Sequence, residues 1–189
     1  MADADAQLVA RYARGDSSAL EALYRRYVQR VWRYGWFCTR SRDAAEDIVQ
    51  ETFLRVARSL PQFEGRSAFA TWLFAVTRSV TVEHIRRSRR EQALAEVPPV
   101  LRLVPPVGAP IDEDTRGAVR EAVAELPAAQ RDAIVLCELC GLTIREAAEI
   151  LAWGESRVKV TLFRARRRLR DALAPRMNTE ESRRSNRVR

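Results

Sequence analysis

Along the first half of the chain, apolar side chains return every three or four positions. Leu20, Leu23, Tyr24, Tyr27 and Val31 predict a helix over Ser17 to Arg33. Ala44, Ile48, Phe53 (or Thr52), Val56 and Leu60 predict a second over Asp43 to Leu60. Pro61 and Gly65 break the pattern in "LPQFEGRSAF", Leu60 to Phe69, which reads as a loop. Trp72, Leu73, Val76, Val80 and Ile85 then predict a helix from Phe69 to about Arg90, with those residues on one side.

The periodicity stops at "EVPPVLRLVPPVGAPIDEDT", Glu96 to Thr115. Pro98, Pro99, Pro105, Pro106 and Pro110 are five of the chain's eight prolines. Proline fixes φ and removes a donor, so this stretch predicts an extended linker. A second helical unit follows, from Arg116 to Pro175. The polar, basic end from Arg176 to Arg189 predicts a disordered tail. No internal repeat is present. The expected architecture is all-α: two small helical domains, over 8–92 and 116–175, joined by a flexible linker over 93–115 and followed by the tail over 176–189.

The second unit is punctuated with particular clarity. "LPAAQRDAIVLCELCG" places Pro127 in a first turn and Gly141 just past a helix end. "LTIREAAEILA" opens with Thr143 and has Glu146 three residues later, a capping box. The turn "WGE" leads to "SRVKVTLFRARRRLRDAL", Ser156 to Leu173. Small Ala148 in the first helix and Val158 in the next suit two helices crossing closely at a short turn, a helix-turn-helix. Val158, Leu162, Ala165 and Leu169 make one narrow apolar stripe, and Arg157, Lys159, Arg164, Arg167 and Arg168 lie off it. No acidic residue occurs from Ser156 to Arg170. A surface helix with a solvated basic face is the plain alternative. The turn spacing, the capping box and the confinement of basic residues to the second helix favour DNA, with the helix N-terminus in the major groove and later arginines on phosphates. A membrane-surface helix would carry a broad, bulky apolar face instead.

Composition supports this reading. Hydrophobic residues make up 47% and charged residues 31%, and the net charge is +8, which suits an anionic partner. Glycine is scarce, at seven residues, while Ala, Leu, Arg and Glu abound, a balance that favours helix over strand. No run is long enough to cross a membrane, and the acidic start, Met1 to Gln7, lacks a signal-peptide order. A cytoplasmic chain without membrane insertion is expected.

Chemistry-bearing signals are few. Three cysteines do not make a disulfide framework. Cys137 and Cys140 have CxxC spacing but lie among Val135, Leu136 and Leu139, as buried small side chains would. No second pair completes a metal site, and the one histidine, His84, lies in the other unit. Glu83 beside it has no partner arrangement pointing to acid–base work. Neither a phosphate-cradling glycine loop nor a Ser/His/Asp set is present, so no catalytic residue, metal or cofactor is expected, and the chain does not read as an enzyme.

The first unit has signals of its own. "DAAEDIVQETFLRV" sets Glu46, Asp47, Gln50 and Glu51 along an acidic-polar face, with Ile48 and Phe53 nearby. "FATWLFAVTRSVTVEHIRRSRR" ends in Arg86, Arg87, Arg89 and Arg90. One end of the domain is thus expected to be acidic and the other basic, for two partners.

Together the blocks resemble a bacterial RNA polymerase sigma factor of the extracytoplasmic-function (ECF) type. "AEDIVQETFLRV" and "FATWLFAVTRSVTVEHIRR" resemble that family's second conserved region, and "LPAAQRDAIVLCELCGLTIREAAEIL…VKVTLFRARRRLRDAL" its fourth. The resemblance covers roughly Leu8 to Leu173. It implies promoter DNA and core RNA polymerase, through its β′ clamp and β flap, as partners. Asp47, Gln50 and Glu51, with Glu46 beside them, would dock on the β′ clamp, supported by Ile48 and Phe53. The loop Pro61 to Ala68, with Phe63, Glu64, Gly65, Arg66 and Ser67, would capture a flipped base of the −10 element. Ser79 would face the melted strand, Arg86 and Arg87 its phosphates, and Trp72 would belong to the core. Ser156, Arg157, Lys159, Val160, Phe163, Arg164 and Arg167 would meet the −35 element. The linker would thread toward the polymerase channels, the tail would add phosphate affinity, and an anti-sigma factor would hold the protein inactive.

Several positions depart from the family pattern. Ser156-Arg157 stand where Gly-Thr is common, Val160-Thr161 where Ser-Arg is common, and Ser79 where many members have Asn. The promoter bases therefore do not transfer with the resemblance. Ala152 stands where the turn often has Gly. An alanine at positive φ costs about 1 kcal/mol, so the turn is expected to be built differently. The alternatives to a sigma factor are a stand-alone helix-turn-helix transcriptional regulator and a helical adaptor that binds no DNA.

Overall fold

The side chain of Asp16 accepts a hydrogen bond from the Ser18 amide and so starts a 23-residue helix. In the computed structural model, which describes residues 2–94 and 113–186 (backbone only at 2–3, 92–94, 113–116 and 175–186), the described residues form helices and turns without strands. Four helices make the first unit: α1 (Ala2–Ala13), α2 (Ser17–Thr39), α3 (Arg42–Ser59) and α4 (Phe69–Leu94). A short 3₁₀ turn, Leu60–Gln62, leads into the predicted loop. The second unit holds α5 (Glu113–Glu125), α6 (Ala128–Ile134), α7 (Ile144–Leu151) and α8 (Glu155–Asn186).

The predicted apolar stripes face inward. Leu23, Tyr27 and Val31 of α2 are fully buried, as are Ile48 and Val56 of α3 and Leu73 of α4. Leu20 stays half-buried and Tyr24 exposed, at the margin of the stripe. Helices α2 and α3 approach closely at Gly35: a Cβ there would stand 3.3 Å from Ala45 Cα and from Ile48. Glycine thus sets how deeply α3 beds against α2, and so how its outer face is presented.

Helix α1 has no counterpart in the periodicity. Its anchor is polar: Asp5, 3% exposed, pairs with Arg26 and accepts the hydroxyl of Tyr27. A buried carboxylate is tolerable because both its partners come from α2.

In the second unit, α6 runs into a π-helical segment, Val135–Leu139, capped by Cys140 and followed by Gly141 with φ +66°. Pro127 is the cap residue just before α6 rather than its first turn. The capping box is present: the Thr143 hydroxyl accepts from the Glu146 amide, and the Glu146 carboxylate accepts from the Thr143 amide. The turn before α8 differs from expectation. Ala152 takes the left-handed conformation at φ 55°, ψ 44°. The amides of Ala152 and Trp153 both reach the Ala148 carbonyl, so capping bonds offset the strain of an L-residue there.

Two boundaries also move. Helix α4 continues to Leu94 and α5 begins at Glu113, so helix enters both ends of the expected linker; residues 95–112 lie outside the described residues. The expected disordered tail instead continues α8 as helix to Asn186. Pro175 removes a backbone donor within this run, and the helix continues past it. The last three residues lie outside the described ones.

The units pack against each other, α4 on α7 and α2 on the π-helical segment, α5 and α6. Arg33 donates to the Leu139 carbonyl at 2.7 Å, and Arg78 lies 3.6 Å from the Asp132 carboxylate. This interface joins the two units' cores.

Candidate polymerase and promoter interfaces

Ser41 caps α3 by accepting from the Ala44 amide, and from there the helix sorts its side chains by face. Ile48 and Phe53 point into the core, at 0% and 8% exposure, while Asp47 and Gln50 are exposed. Ile48 and Phe53, expected among the polymerase-binding residues, therefore lie beneath this surface and do not offer themselves to a partner. Exposed Leu54 adds an apolar spot beside Gln50 and Glu51, and Phe53 meets half-exposed Tyr24 edge-on at 4.7 Å between ring centroids.

The carboxylates on this face are unequal. Glu46 is paired with Arg42 at 2.7 Å and Glu51 with Arg55 at 2.7 Å. Arg55 also reaches across to Glu83 of α4 with two bonds, of 2.7 and 3.0 Å. Glu83 additionally accepts from Ser79, and the Arg55 guanidinium, with that hydroxyl, holds its carboxyl below the ordinary range. Sequence showed no partner for Glu83; the fold supplies two, in a structural ion pair.

The expected separation of an acidic and a basic end is not what the fold builds. Asp47, Gln50 and Glu51 of α3 share one groove with His84, Arg86, Arg87 and Arg90 of α4. The helices lie side by side, so blocks forty residues apart in sequence face each other across one surface.

The loop after the 3₁₀ turn, expected to meet the −10 element, is anchored by aromatic packing. Phe63 is half-buried, with its ring 5.0 Å from Trp72 and 6.3 Å from Phe69. That makes Trp72 part of the packing, as expected. Gly65 has φ +70°, open to glycine at no cost, and nothing lies within 4 Å of where a Cβ would stand. Glu64 and Arg66 pair with each other in solvent, at 2.5 Å. Ser67 is half-buried. The cleft beside this loop is closed on its far side by Arg145, Glu146 and Glu149 of α7. Ser79, Arg86 and Arg87 lie along α4, all exposed.

Helix α8 matches its predicted pattern. Val158, Leu162 and Ala165 are buried against the preceding helices, and Leu169 is half-buried. Ser156, Arg157, Lys159, Arg164 and Arg167 are exposed. So are two apolar residues among them: Val160, 49% exposed, and Phe163, 67% exposed. Arg157 is stacked on Trp153, 4.3 Å from its ring centroid, a contact not foreseen from sequence although an aromatic four positions before an arginine is its signature. Lys159 lies 3.9 Å from Glu155, and Arg166 pairs with Glu138 of the π-helical segment. Among the described residues, Arg157, Arg164 and Arg167 pair with no carboxylate.

The cysteines are free thiols. Burial pushes Cys137 up to about 11 and Cys140 up to about 12, and pushes Cys38 higher still. Such thiols are poor nucleophiles near neutral pH. Among the described residues, no group of His, Cys, Asp and Glu is arranged to hold a metal ion, and no helix is long and apolar enough to cross a membrane.

Comparison with known proteins agrees with both units. Residues 23–91 match Sigma-70 region 2, and residues 116–169 match Sigma-70, region 4. The chain is 34% identical over 163 residues to the ECF RNA polymerase sigma factor SigC of Mycobacterium tuberculosis, spanning 82% of this chain and 83% of that one. It is 33% identical over 186 residues to the ECF RNA polymerase sigma-E factor of Haemophilus influenzae, spanning 92% and 97%. In fold it is similar to the sigma factor RpoE of Bartonella quintana, solved in complex with the anti-sigma factor NepR, with a TM-score of 0.71 at 24% identity over 82% of this chain and 96% of that one. With helical units in the region 2 and region 4 order and relatives of nearly its own length, the chain belongs to the ECF sigma factors, the subunits that bind core RNA polymerase and direct it to promoters.

Proposed function

We propose that this sigma factor divides its work among three surfaces. The exposed face of α3, centred on Asp47 and Gln50 with Leu54 beside them, docks on the β′ clamp of core polymerase. The loop of Phe63 to Ser67, with Ser79, Arg86 and Arg87 along α4, takes the melted −10 strand. The exposed side of α8, from Ser156 to Arg167, reads the −35 element, and region 4 also meets the β flap. The residues on α3, α4 and α8 are solvent-facing on helices whose opposite faces are buried, so partner binding there does not compete with the core, while Phe63 and Ser67 of the loop are half-buried.

One observation carries the DNA reading of α8 over a solvated basic helix. Phe163 and Val160 are exposed among unpaired arginines. A solvated basic face has no use for a two-thirds-exposed phenyl ring, whereas a thymine methyl in the major groove does.

The mechanism is physical. Extruding a base costs a few kcal/mol, offset by a pocket and by phosphate contacts. Those contacts make binding steeply salt-dependent, with a log–log slope of about −0.9 per phosphate neutralised. Two weak modules joined in one chain on polymerase gain by effective concentration. The chain acts in the cytoplasm with polymerase, and an anti-sigma protein covering these faces is its expected regulator.

The test is transcription by purified core polymerase, with and without the chain, on a genomic fragment library. New start sites sharing two spaced elements are expected. Specific duplex binding by the chain alone, without new starts, would instead favour a stand-alone regulator.

A further inference from the structure

The turn before α8 sets an aromatic ring beneath an arginine. Trp153 follows the left-handed Ala152, and its amide is bonded to the Ala148 carbonyl at 3.0 Å. One side of its indole packs on the core, leaving the residue half-buried. The Arg157 guanidinium lies over the ring at 4.3 Å from the centroid. Helical side chains lean toward the N-terminus, so a residue in the first turn of α8 reaches back over the preceding turn. The Gly154 carbonyl accepts from the Arg157 and Val158 amides, and Val158 is fully buried, so the start of α8 is fixed beneath the pair.

The stack leaves the guanidinium edge free. Among the described residues, no carboxylate and no carbonyl takes a hydrogen bond from the Arg157 side chain. Its charge is satisfied by an aromatic face, which uses none of its in-plane donors. Lys159, by contrast, has Glu155 within 3.9 Å. An arginine with a free fork, pre-set at the N-terminal end of a helix in the major groove, matches the paired acceptors O6 and N7 of guanine. A phosphate-binding arginine needs no such preset, since a phosphate can be met from many directions.

We infer that Trp153 is a positioning residue for sequence reading: it holds Arg157 so that its guanidinium recognises one guanine of the −35 element. This rests on the reading of α8 as the −35 helix. Trp153 itself touches no base. It removes the rotamer freedom that a four-bond side chain would otherwise lose on binding.

The experiment uses the full chain with core polymerase on a promoter library randomised through the −35 region, sequencing the transcripts. For the unaltered chain, one position is expected to favour guanine by roughly tenfold or more. Arg157→Ala and Arg157→Lys both lose that preference, because lysine keeps the charge but not the fork. Trp153→Leu keeps apolar packing on the core and reduces the same preference by about threefold or more, leaving other −35 positions and the −10 preference unchanged. Trp153→Phe, which restores a π-face, recovers most of it. A merely structural role for Trp153 would lower use of all promoters alike and leave base preference intact; that outcome overturns the inference. Uniform loss with Arg157→Ala would make it a phosphate contact and also overturn it. If the unaltered chain shows −35 preferences that respond to Arg164 or Phe163 but not to Arg157, only this inference fails. If no −35 preference exists, the reading of α8 fails with it.

Discussion

Arg30 of α2 and Cys140, 110 residues later, are bonded in both directions. The Arg30 guanidinium donates to the Cys140 carbonyl, by Nε at 2.8 Å and by a second N–H, and the Cys140 thiol contacts the Arg30 carbonyl at 3.5 Å. The same guanidinium lies over Tyr27 and Phe74, at 5.0 and 5.3 Å from their ring centroids. A cation is thereby placed at the C-terminal end of the π-helical segment, where unsatisfied carbonyls gather. Arg30→Met keeps the apolar stem and removes the donors. It is expected to weaken packing between the units by about 1–3 kcal/mol, the cost of stranding a carbonyl bonded by a charged donor. Hydrogen exchange checks this: amides around Leu139 to Leu142 should lose protection, while those of α3 keep theirs.

A second prediction concerns pH. Asp132 lies at the same interface, facing Tyr34 and Cys38 of α2, Arg78 of α4 and its neighbour Arg131. Burial pushes its carboxyl above the ordinary aspartate range, against the pull of Arg78 and Arg131. The packed state therefore binds this proton more readily than the unfolded chain. Through this group, stability rises as pH falls from its raised value toward that of a free aspartate, and the penalty of the buried charge is fully present above that window. Asp132→Asn removes the penalty and the dependence together. Thermal unfolding from pH 8 to 4 should show the variant gaining on the natural chain at neutral pH, and losing that advantage in acid. An advantage constant across the range would place the cause elsewhere. Glu83 works in the opposite sense: its stabilising pairing with Arg55 is lost as pH falls.

What sequence could and could not show follows from the range of the interactions. The inward stripes of α2, α3 and α8 and the Thr143–Glu146 box are local patterns and were legible; on α4 only Leu73 and Val80 of the expected stripe are buried, Trp72, Val76 and Ile85 are half-buried, and Phe74, Thr77 and Thr81 fill the inner face instead. Asp5 was not, because its partners Arg26 and Tyr27 are a helix away and nothing near Asp5 marks it for burial. Contacts between the units escaped for the same reason: Arg30, Arg33 and Arg78 look like ordinary surface cations until α6 and its π-helical extension meet them. The groove shared by Asp47 and Arg87 needed the side-by-side placement of α3 and α4.

Ala152 gives a third prediction. Its φ of 55° is sterically costly for an L-residue and free for glycine. Nothing suggests that its methyl group is needed, since the residue is exposed. Ala152→Gly relieves about 1 kcal/mol of strain, and greater freedom in the unfolded chain returns part of it. A net gain of a few tenths to about 1 kcal/mol is expected. Denaturant unfolding measures it as a higher midpoint with an unchanged slope. A loss of stability would mean that the capping bonds to Ala148 need a more rigid residue than glycine.

The proposed docking face of α3 gives the last prediction, in which exposure separates binding from folding. Asp47 and Gln50 are solvent-facing, whereas Ile48 between them is fully buried. Replacing Asp47 and Gln50 together by alanine touches no packed atom, so stability should stay within about 0.5 kcal/mol of the natural chain. Affinity for core polymerase should fall by about tenfold or more, as for exposed anchors at the centre of an interface. Glu46→Ala should cost less, because Glu46 is already engaged by Arg42. Ile48→Ala should behave in the reverse order, losing about 2–5 kcal/mol of stability first and core binding only as a consequence. Titrating fluorescently labelled chain with core polymerase, beside thermal melts of each variant, distinguishes these cases. If the double variant keeps full affinity, the docking surface lies elsewhere, and the neighbouring basic wall of the same groove, Arg86, Arg87 and Arg90, becomes the next to test.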